Sequence, residues 1–149
     1  MITTLIVLSS LAQAEPAQAD PAQTDPAAVK PSESQQALYT ALKSREDAPT
    51  CESLQTHSTD LVNDLVWLVD NATQPPWVGI RAAQCIVRHH HVEKAELIES
   101  WMTTPERRGL AILTMGMLKE LPPELGLTLQ SAALAGPFSD DAKKHIERP

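Results

Sequence analysis

Two cysteines and a run of three histidines are the most reactive side chains in this sequence of 149 residues. Cys51 and Cys85 are the only cysteines, and in an exported protein two cysteines most simply form one disulfide. The bond would close a loop of about 34 residues and stabilise the fold by roughly 3 to 4 kcal/mol. A second interpretation leaves Cys85 free, as a small apolar residue of an Ala-rich helix, with Cys51 exposed. No C-x-x-C spacing is present, so the cysteines give no support for a redox role.

The histidines are His89, His90 and His91. Successive residues of a helix point about 100 degrees apart, so three adjacent imidazoles cannot converge on one metal ion. Imidazoles at the end of a helix instead complement its dipole, and with Arg88 they would form a solvated cap. We therefore predict no metal and no cofactor, and metal binding through these histidines remains the alternative.

Large and cationic side chains suggest where a partner could bind. Tryptophan and arginine are enriched at the energetic centres of protein interfaces. Trp101 shares a helix face with Leu97, Ile98 and Met102, which predicts a core position. The candidate residues of an interaction surface are Trp67, Trp77, Arg81, His89 and His90, with packing as the alternative for the two tryptophans.

Composition excludes several classes of function. The formal net charge of -7 gives no electrostatic basis for binding nucleic acid or an anionic membrane. No Gly-rich phosphate loop, nucleophile elbow or zinc-protease helix motif occurs, so we predict that the protein is not an enzyme.

The N-terminus predicts export. Residues 2–11 are apolar and uncharged and lead to Ala12-Gln13-Ala14, a small-x-small cleavage site, although no Lys or Arg precedes them. Residues 1–14 are therefore predicted to be a signal peptide, which places the protein in the periplasm or outside the cell, with no stable membrane insertion after cleavage. Residues 15–31 carry Pro about every fifth residue with little to bury, which predicts a disordered spacer.

The remaining chain, residues 32–149, is predicted to fold as helices. Aromatic residues make up only 3%, so Leu, Val, Ile, Ala and Met must build the interior, which favours helix-on-helix packing. The predicted helices begin after a Ser32 cap, cover about 37–42, 61–69, 76–89, 92–102, 104–121 and 122–136, and end with a short helix from Ser139.

The sequence predicts a helical unit that occurs twice, in residues 75–104 and 105–135, and such a spacing is typical of an α-solenoid. The spacing of Leu61-Val62-x-x-Leu65-Val66 matches that of Leu97-Ile98-x-x-Trp101-Met102. The run Pro76-x-x-x-Ile80-Arg81-x-Ala83-x-x-Ile86 resembles the first helix of a HEAT-like repeat.

The resemblance implies a short right-handed α-α superhelix, HEAT- or armadillo-like, of about three antiparallel helix pairs. In that family the branched and small residues of the first helix pack inward and the modules serve as protein-binding scaffolds without common catalytic residues. We therefore expect a non-catalytic interaction or scaffold module of the cell envelope with an unknown protein partner. A small-ligand or metal-binding helical domain is the alternative.

Overall fold

The computed structural model describes residues 30–146, and every regular element in that range is helical, as the all-α prediction requires. The predicted signal peptide, residues 1–14, and nearly all of the predicted spacer, residues 15–31, lie outside the described residues. No helix in residues 30–146 is both long and apolar enough to cross a membrane. In chain order the α-helices are α1 (Glu33–Lys43), α2 (Cys51–Leu54), α3 (Leu61–Asn71), α4 (Pro76–His89), α5 (Ala95–Thr103), α6 (Arg108–Met117), α7 (Pro123–Ala135) and α8 (Ser139–Ile146).

Helix α1 begins where its sequence predicts. The hydroxyl of Ser32 accepts a hydrogen bond from the Gln35 backbone N–H at 3.2 Å, and the Gln35 side chain accepts one from the Ser32 N–H at 2.9 Å. This reciprocal pair satisfies two backbone donors that the first turn of a helix leaves free. Leu38 and Leu42 then face the core from the same side of α1.

The core lies between the helices as one cluster of buried apolar side chains. Trp101 is only 1% exposed, which confirms its predicted core position, and Ile98 and Met102 beside it are fully buried. Helix α4 passes through the middle of this core, where it packs against α1, α3 and α6. Its buried residues include Val78, Ala82 and Ile86.

Two predicted helix boundaries are wrong. The helix predicted from Val92 begins only at Ala95, because residues 91–94 form turns, and Val92 is 80% exposed. The helix predicted over 104–121 is divided into a 3₁₀ turn (Pro105–Arg107), α6 and a second 3₁₀ turn (Leu118–Glu120). Leu121 is extended rather than helical, as expected for a residue that precedes proline.

Alternate helices stack on one another. Helix α5 packs against α7, α4 against α6, and α6 against α8, while α3 packs on α4, α5 on α6 and α7 on α8. The matching spacings in α3 and α5 bury matching positions only in part, however. Leu65 and the corresponding Trp101 are both buried. Leu61 is buried where Leu97 is half-buried, and Ile98 and Met102 are fully buried where Val62 and Val66 are half-buried. Equal spacing therefore does not mean an equal face.

Helix α4, whose sequence was compared with the first helix of a HEAT-like repeat, differs at one residue from the packing expected on that basis. Ile80, the branched residue expected to face inward, is 45% exposed, whereas Ala83 and Ile86 are buried. The reason is that α4 already packs two other faces, one on α1 and α3 and one on α6, and Ile80 lies at the edge between α4 and α6.

Candidate functional site

The predicted disulfide is present and joins two helices. Cys51 is the first residue of α2, and Cys85 lies in α4, with the two Cα atoms 5.5 Å apart. Thr50 caps α2, and its hydroxyl accepts a hydrogen bond from the Ser53 N–H at 3.3 Å. Cys85 is 6% exposed, while Cys51 is half-buried. Without the bond, the four-residue α2 would depend on few contacts to stay on α4.

His90 lies beside this disulfide, which the sequence did not predict. His90 is the capping residue that directly follows α4, and its Nε2 is 4.0 Å from the Cys51 Sγ. The ligand-type atoms of Cys51, Cys85 and His90 all lie within 4.8 Å of one another. Burial lowers the pKa of His90, and the nearby His89, His91 and Lys94 lower it further, while Glu93 acts in the opposite direction. His90 is therefore neutral at pH 7, with a lone pair on one ring nitrogen.

The three histidines diverge, as the helical geometry predicts. The His91 Nδ1 donates to the Val87 carbonyl at 3.1 Å, and the His89 Nδ1 lies 3.4 Å from the Glu52 carboxylate. Glu52 has a lowered pKa, first because of hydrogen bonds from its own backbone N–H and the Thr50 hydroxyl. With each imidazole directed to a different partner, no single ion can be bound by all three.

A cavity of about 410 Å³ lies next to the disulfide, between α2, α4 and the segment that joins α1 to α2. Both cysteines line it, and its polar wall comes from residues of both charge signs. That wall is formed by Glu52, Arg81, Gln84, Arg88 and His89. The cavity thus brings together four residues singled out in the sequence, namely Cys51, Cys85, Arg81 and His89.

Arg88 is held on one side of the cavity by an ion pair. Its Nε donates to a Glu120 carboxylate oxygen at 2.7 Å, which raises the pKa of Arg88 and lowers that of Glu120. Both side chains are nearly half exposed, so the pair contributes little to stability. The pair does hold the Arg88 guanidinium in one orientation.

Trp77 and Arg81 bind the end of α1. The Arg81 guanidinium donates to the carbonyls of Leu42, at 2.7 Å, and Ser44, and the Trp77 Nε1–H donates to that of Lys43 at 3.2 Å. The Arg45 guanidinium covers the Trp77 ring, 4.4 Å from its centroid. The last carbonyls of a helix lack partners within the helix, and these side chains supply them. The proposed role of Trp77 and Arg81 in binding a partner stays a prediction.

Trp67 lies apart from the other candidates. It borders a cleft of about 200 Å³ with Pro31, Tyr39 and Asn71. The Tyr39 hydroxyl donates to the Gln74 carbonyl at 2.7 Å, and this bond ties α1 to the α3–α4 loop. Trp67 is half-buried, and its role at an interaction surface also stays a prediction.

A second surface feature was missed in the sequence. An apolar groove of about 380 Å³ runs between the α3–α4 corner and α6. The side chains that define it are Val69, Pro76, Ile80, Leu110 and Leu113. Gly109 leaves its floor open, since a Cβ there would meet no atom within 4 Å. The spacing within α4 does not indicate the groove, because Ile80 lies three and seven positions before Ala83 and Val87, which are both buried.

One charged residue in the described range is buried. The Asp64 carboxylate accepts hydrogen bonds from the Ser58 hydroxyl at 2.7 Å and from the Gln35 side-chain amide at 3.0 Å. Burial acts to raise the pKa of Asp64, but the nearby Ser34 and Ser58 hydroxyls and the Gln35 amide together lower it below its ordinary value. Asp64 thereby links α3 to the start of α1.

No protein-family model matches the chain, and neither a curated protein nor a solved structure matches it.

Proposed function

We propose that this protein is an exported, non-catalytic interaction domain that binds another protein through the apolar groove between the α3–α4 corner and α6. The observation that carries the proposal is the exposure of Ile80 in the middle of that groove. A branched apolar side chain left 45% exposed among other apolar groups gains free energy when a partner covers it. Val69, Leu110 and Leu113 would contact the same partner.

The arrangement of the helices supports a scaffold role. Stacking of α4, α6 and α8, and of α5 on α7, is what a short α-α superhelix of helix pairs requires. We propose the HEAT-like solenoid on this basis. The helices of a solenoid hold its grooves in a fixed shape, so the domain would lose little conformational entropy when a partner binds.

The disulfide supports the proposed export, because such bonds persist in oxidising compartments. The test is N-terminal sequencing of the protein isolated from cells. Cleavage at the predicted site gives a mature chain that begins at Glu15. A chain isolated from the cytoplasm that still begins at Met1 would contradict export.

The binding proposal is tested by capture of partners from the envelope and secreted fractions, with the mature full-length protein as bait. An Ile80→Lys variant places a charge in the groove, and Val92→Lys is the matched control, because Val92 is 80% exposed and outside the groove. We expect a saturable protein partner that is retained by wild type and Val92→Lys and lost with Ile80→Lys. Equal retention by both variants would place the interface elsewhere. A folded bait with no saturable partner would contradict the interaction function.

The alternative prediction, a small-ligand or metal-binding domain, is favoured by a different observation, which is the cluster of Cys51, Cys85 and His90 beside the 410 Å³ cavity.

A further inference from the structure

We propose that Cys51, Cys85 and His90 form a redox-gated site for a thiophilic d¹⁰ ion, Zn²⁺ or Cu⁺, which is closed while the disulfide is intact and opens when it is reduced. The site is independent of the apolar groove, and it uses none of the groove residues.

The donor set suits such an ion. Two thiolates and one neutral imidazole are the soft and borderline ligands that select Zn²⁺ and Cu⁺ over harder cations. In a tetrahedral zinc site, bond lengths of about 2.0 to 2.3 Å place sulfur and nitrogen ligands about 3.5 Å apart. The Cys51 Sγ and His90 Nε2 are already 4.0 Å apart, so a small side-chain rotation that shortens this distance by about 0.5 Å lets both atoms bind one ion.

Contacts other than the disulfide also hold the ligands near one another. Cys85 lies in α4 and His90 caps its C-terminus, with the His90 N–H donating to the Ile86 carbonyl at 2.9 Å. In α2, Leu54 is buried in the core and the Glu52 carboxylate lies 3.4 Å from the His89 Nδ1. Thr50 fixes the start of α2 and hence Cys51. With Cα atoms 5.5 Å apart, the two cysteine side chains can separate by rotation and point to one ion.

His90 is prepared for coordination. Its Nε2 lies 4.0 Å from the Cys51 sulfur, and a metal would bind through the lone pair of that nitrogen. The neighbouring His89 and His91 are engaged with Glu52 and Val87, so they do not compete for the ion. With three protein ligands, Zn²⁺ would keep a fourth position for water or a partner's side chain, whereas Cu⁺ would be satisfied by three.

Reduction needs a dithiol reductant, and the cavity gives it a route. One thiolate of the reductant enters the cavity that Cys51 lines and attacks the Cys51 Sγ, the Cys51–Cys85 bond breaks, and the electron pair leaves on the Cys85 sulfur. The second thiol of the reductant then displaces Cys51, so that the reductant becomes a disulfide and the protein gains two electrons and two protons. The ion subsequently displaces those two protons when it binds both sulfurs.

The experiment measures metal binding to the full-length chain, oxidised and reduced, by equilibrium dialysis with Zn²⁺ and, without oxygen, with Cu⁺. We expect one equivalent of either ion in the reduced protein and none in the oxidised protein. His90→Ala should weaken binding by at least about tenfold, because a direct ligand matters no less than an outer-shell partner. His89→Ala is the matched control and should bind like wild type.

Reduction removes the constraint of the disulfide, so folding is followed in the same samples by circular dichroism. We expect the ion to raise the melting temperature of the reduced wild type and of His89→Ala more than that of His90→Ala. Binding of one ion type alone would support the site and identify its metal. Failure of both ions to bind or to stabilise the reduced chain would overturn the proposal, as would equal binding by His90→Ala and wild type.

Discussion

Replacement of the buried Asp64 by alanine should destabilise the domain more than replacement of an exposed carboxylate does. The carboxylate is 8% exposed and accepts two hydrogen bonds, at 2.7 Å from Ser58 and 3.0 Å from Gln35. A hydrogen bond to a charged group contributes about 1.5 to 3 kcal/mol, and Gln35 and Ser58 can recover part of this by bonding to water after the substitution. The expected loss is therefore about 2 to 3 kcal/mol, or very roughly 6 to 12 °C in melting temperature for a domain of this size.

The assay is urea denaturation followed by circular dichroism at pH 7, with an unchanged slope as evidence that the same surface unfolds. Asp60→Ala is the matched control. Asp60 precedes the same helix, but it is exposed and its one side-chain partner is Asn63, at 3.0 Å. That substitution should cost less than about 1 kcal/mol.

The pH dependence has a definite sign. Because the pKa of Asp64 is lower in the folded state than in the unfolded chain, its contribution is present above the unfolded pKa and is lost as the pH falls through the folded one. The difference between wild type and Asp64→Ala should thus be constant near neutrality and shrink below about pH 4. A loss no larger than that of Asp60→Ala, or a difference that stays constant down to low pH, would refute the reasoning.

Two further substitutions follow from the packing. The Thr114 hydroxyl is fully buried and has no hydrogen-bond partner among the described residues, so Thr114→Val should raise the unfolding free energy by about 1 kcal/mol. Thr128→Val, at an exposed position, is the control and should change the unfolding free energy by less than about 0.5 kcal/mol. A destabilised Thr114→Val protein would show that the hydroxyl has a partner. Arg81→Met should lower the unfolding free energy by about 1 to 3 kcal/mol, because the carbonyls of Leu42 and Ser44 at the end of α1 lose a charged donor. Arg107→Met breaks an exposed ion pair with Asp70 and should lower the unfolding free energy by less than about 1 kcal/mol. Equal losses in denaturation would contradict the capping role of Arg81.

Local chemistry explains why much of the fold could be predicted from the sequence. The start of α1 depends only on the capping pair Ser32 and Gln35, and Pro76 at the first position of α4 is an equally local signal. The disulfide was predictable because the chain offers only two cysteines. Each of these inferences needs only a few neighbouring residues or a simple count.

The features that were missed depend on distant residues. His90 is 39 positions from Cys51 in sequence, and their proximity results from the packing of α2 on the end of α4. Arg81 was a surface candidate because its sequence neighbours do not reveal the carbonyls of Leu42 and Ser44. Ile80 was expected inside for a related reason, since a spacing cannot tell which of two apolar faces a neighbouring helix covers.

The binding of the α1 end by Arg81 and Trp77 also bears on the order in which the chain folds. An isolated helix of 11 residues is marginal in water, and the side chains that complete α1 follow it by 34 to 39 positions. When the chain is synthesised from its N-terminus, the end of α1 therefore lacks these partners until α4 has also been made. Helix α1 should become stable together with α4 rather than before it.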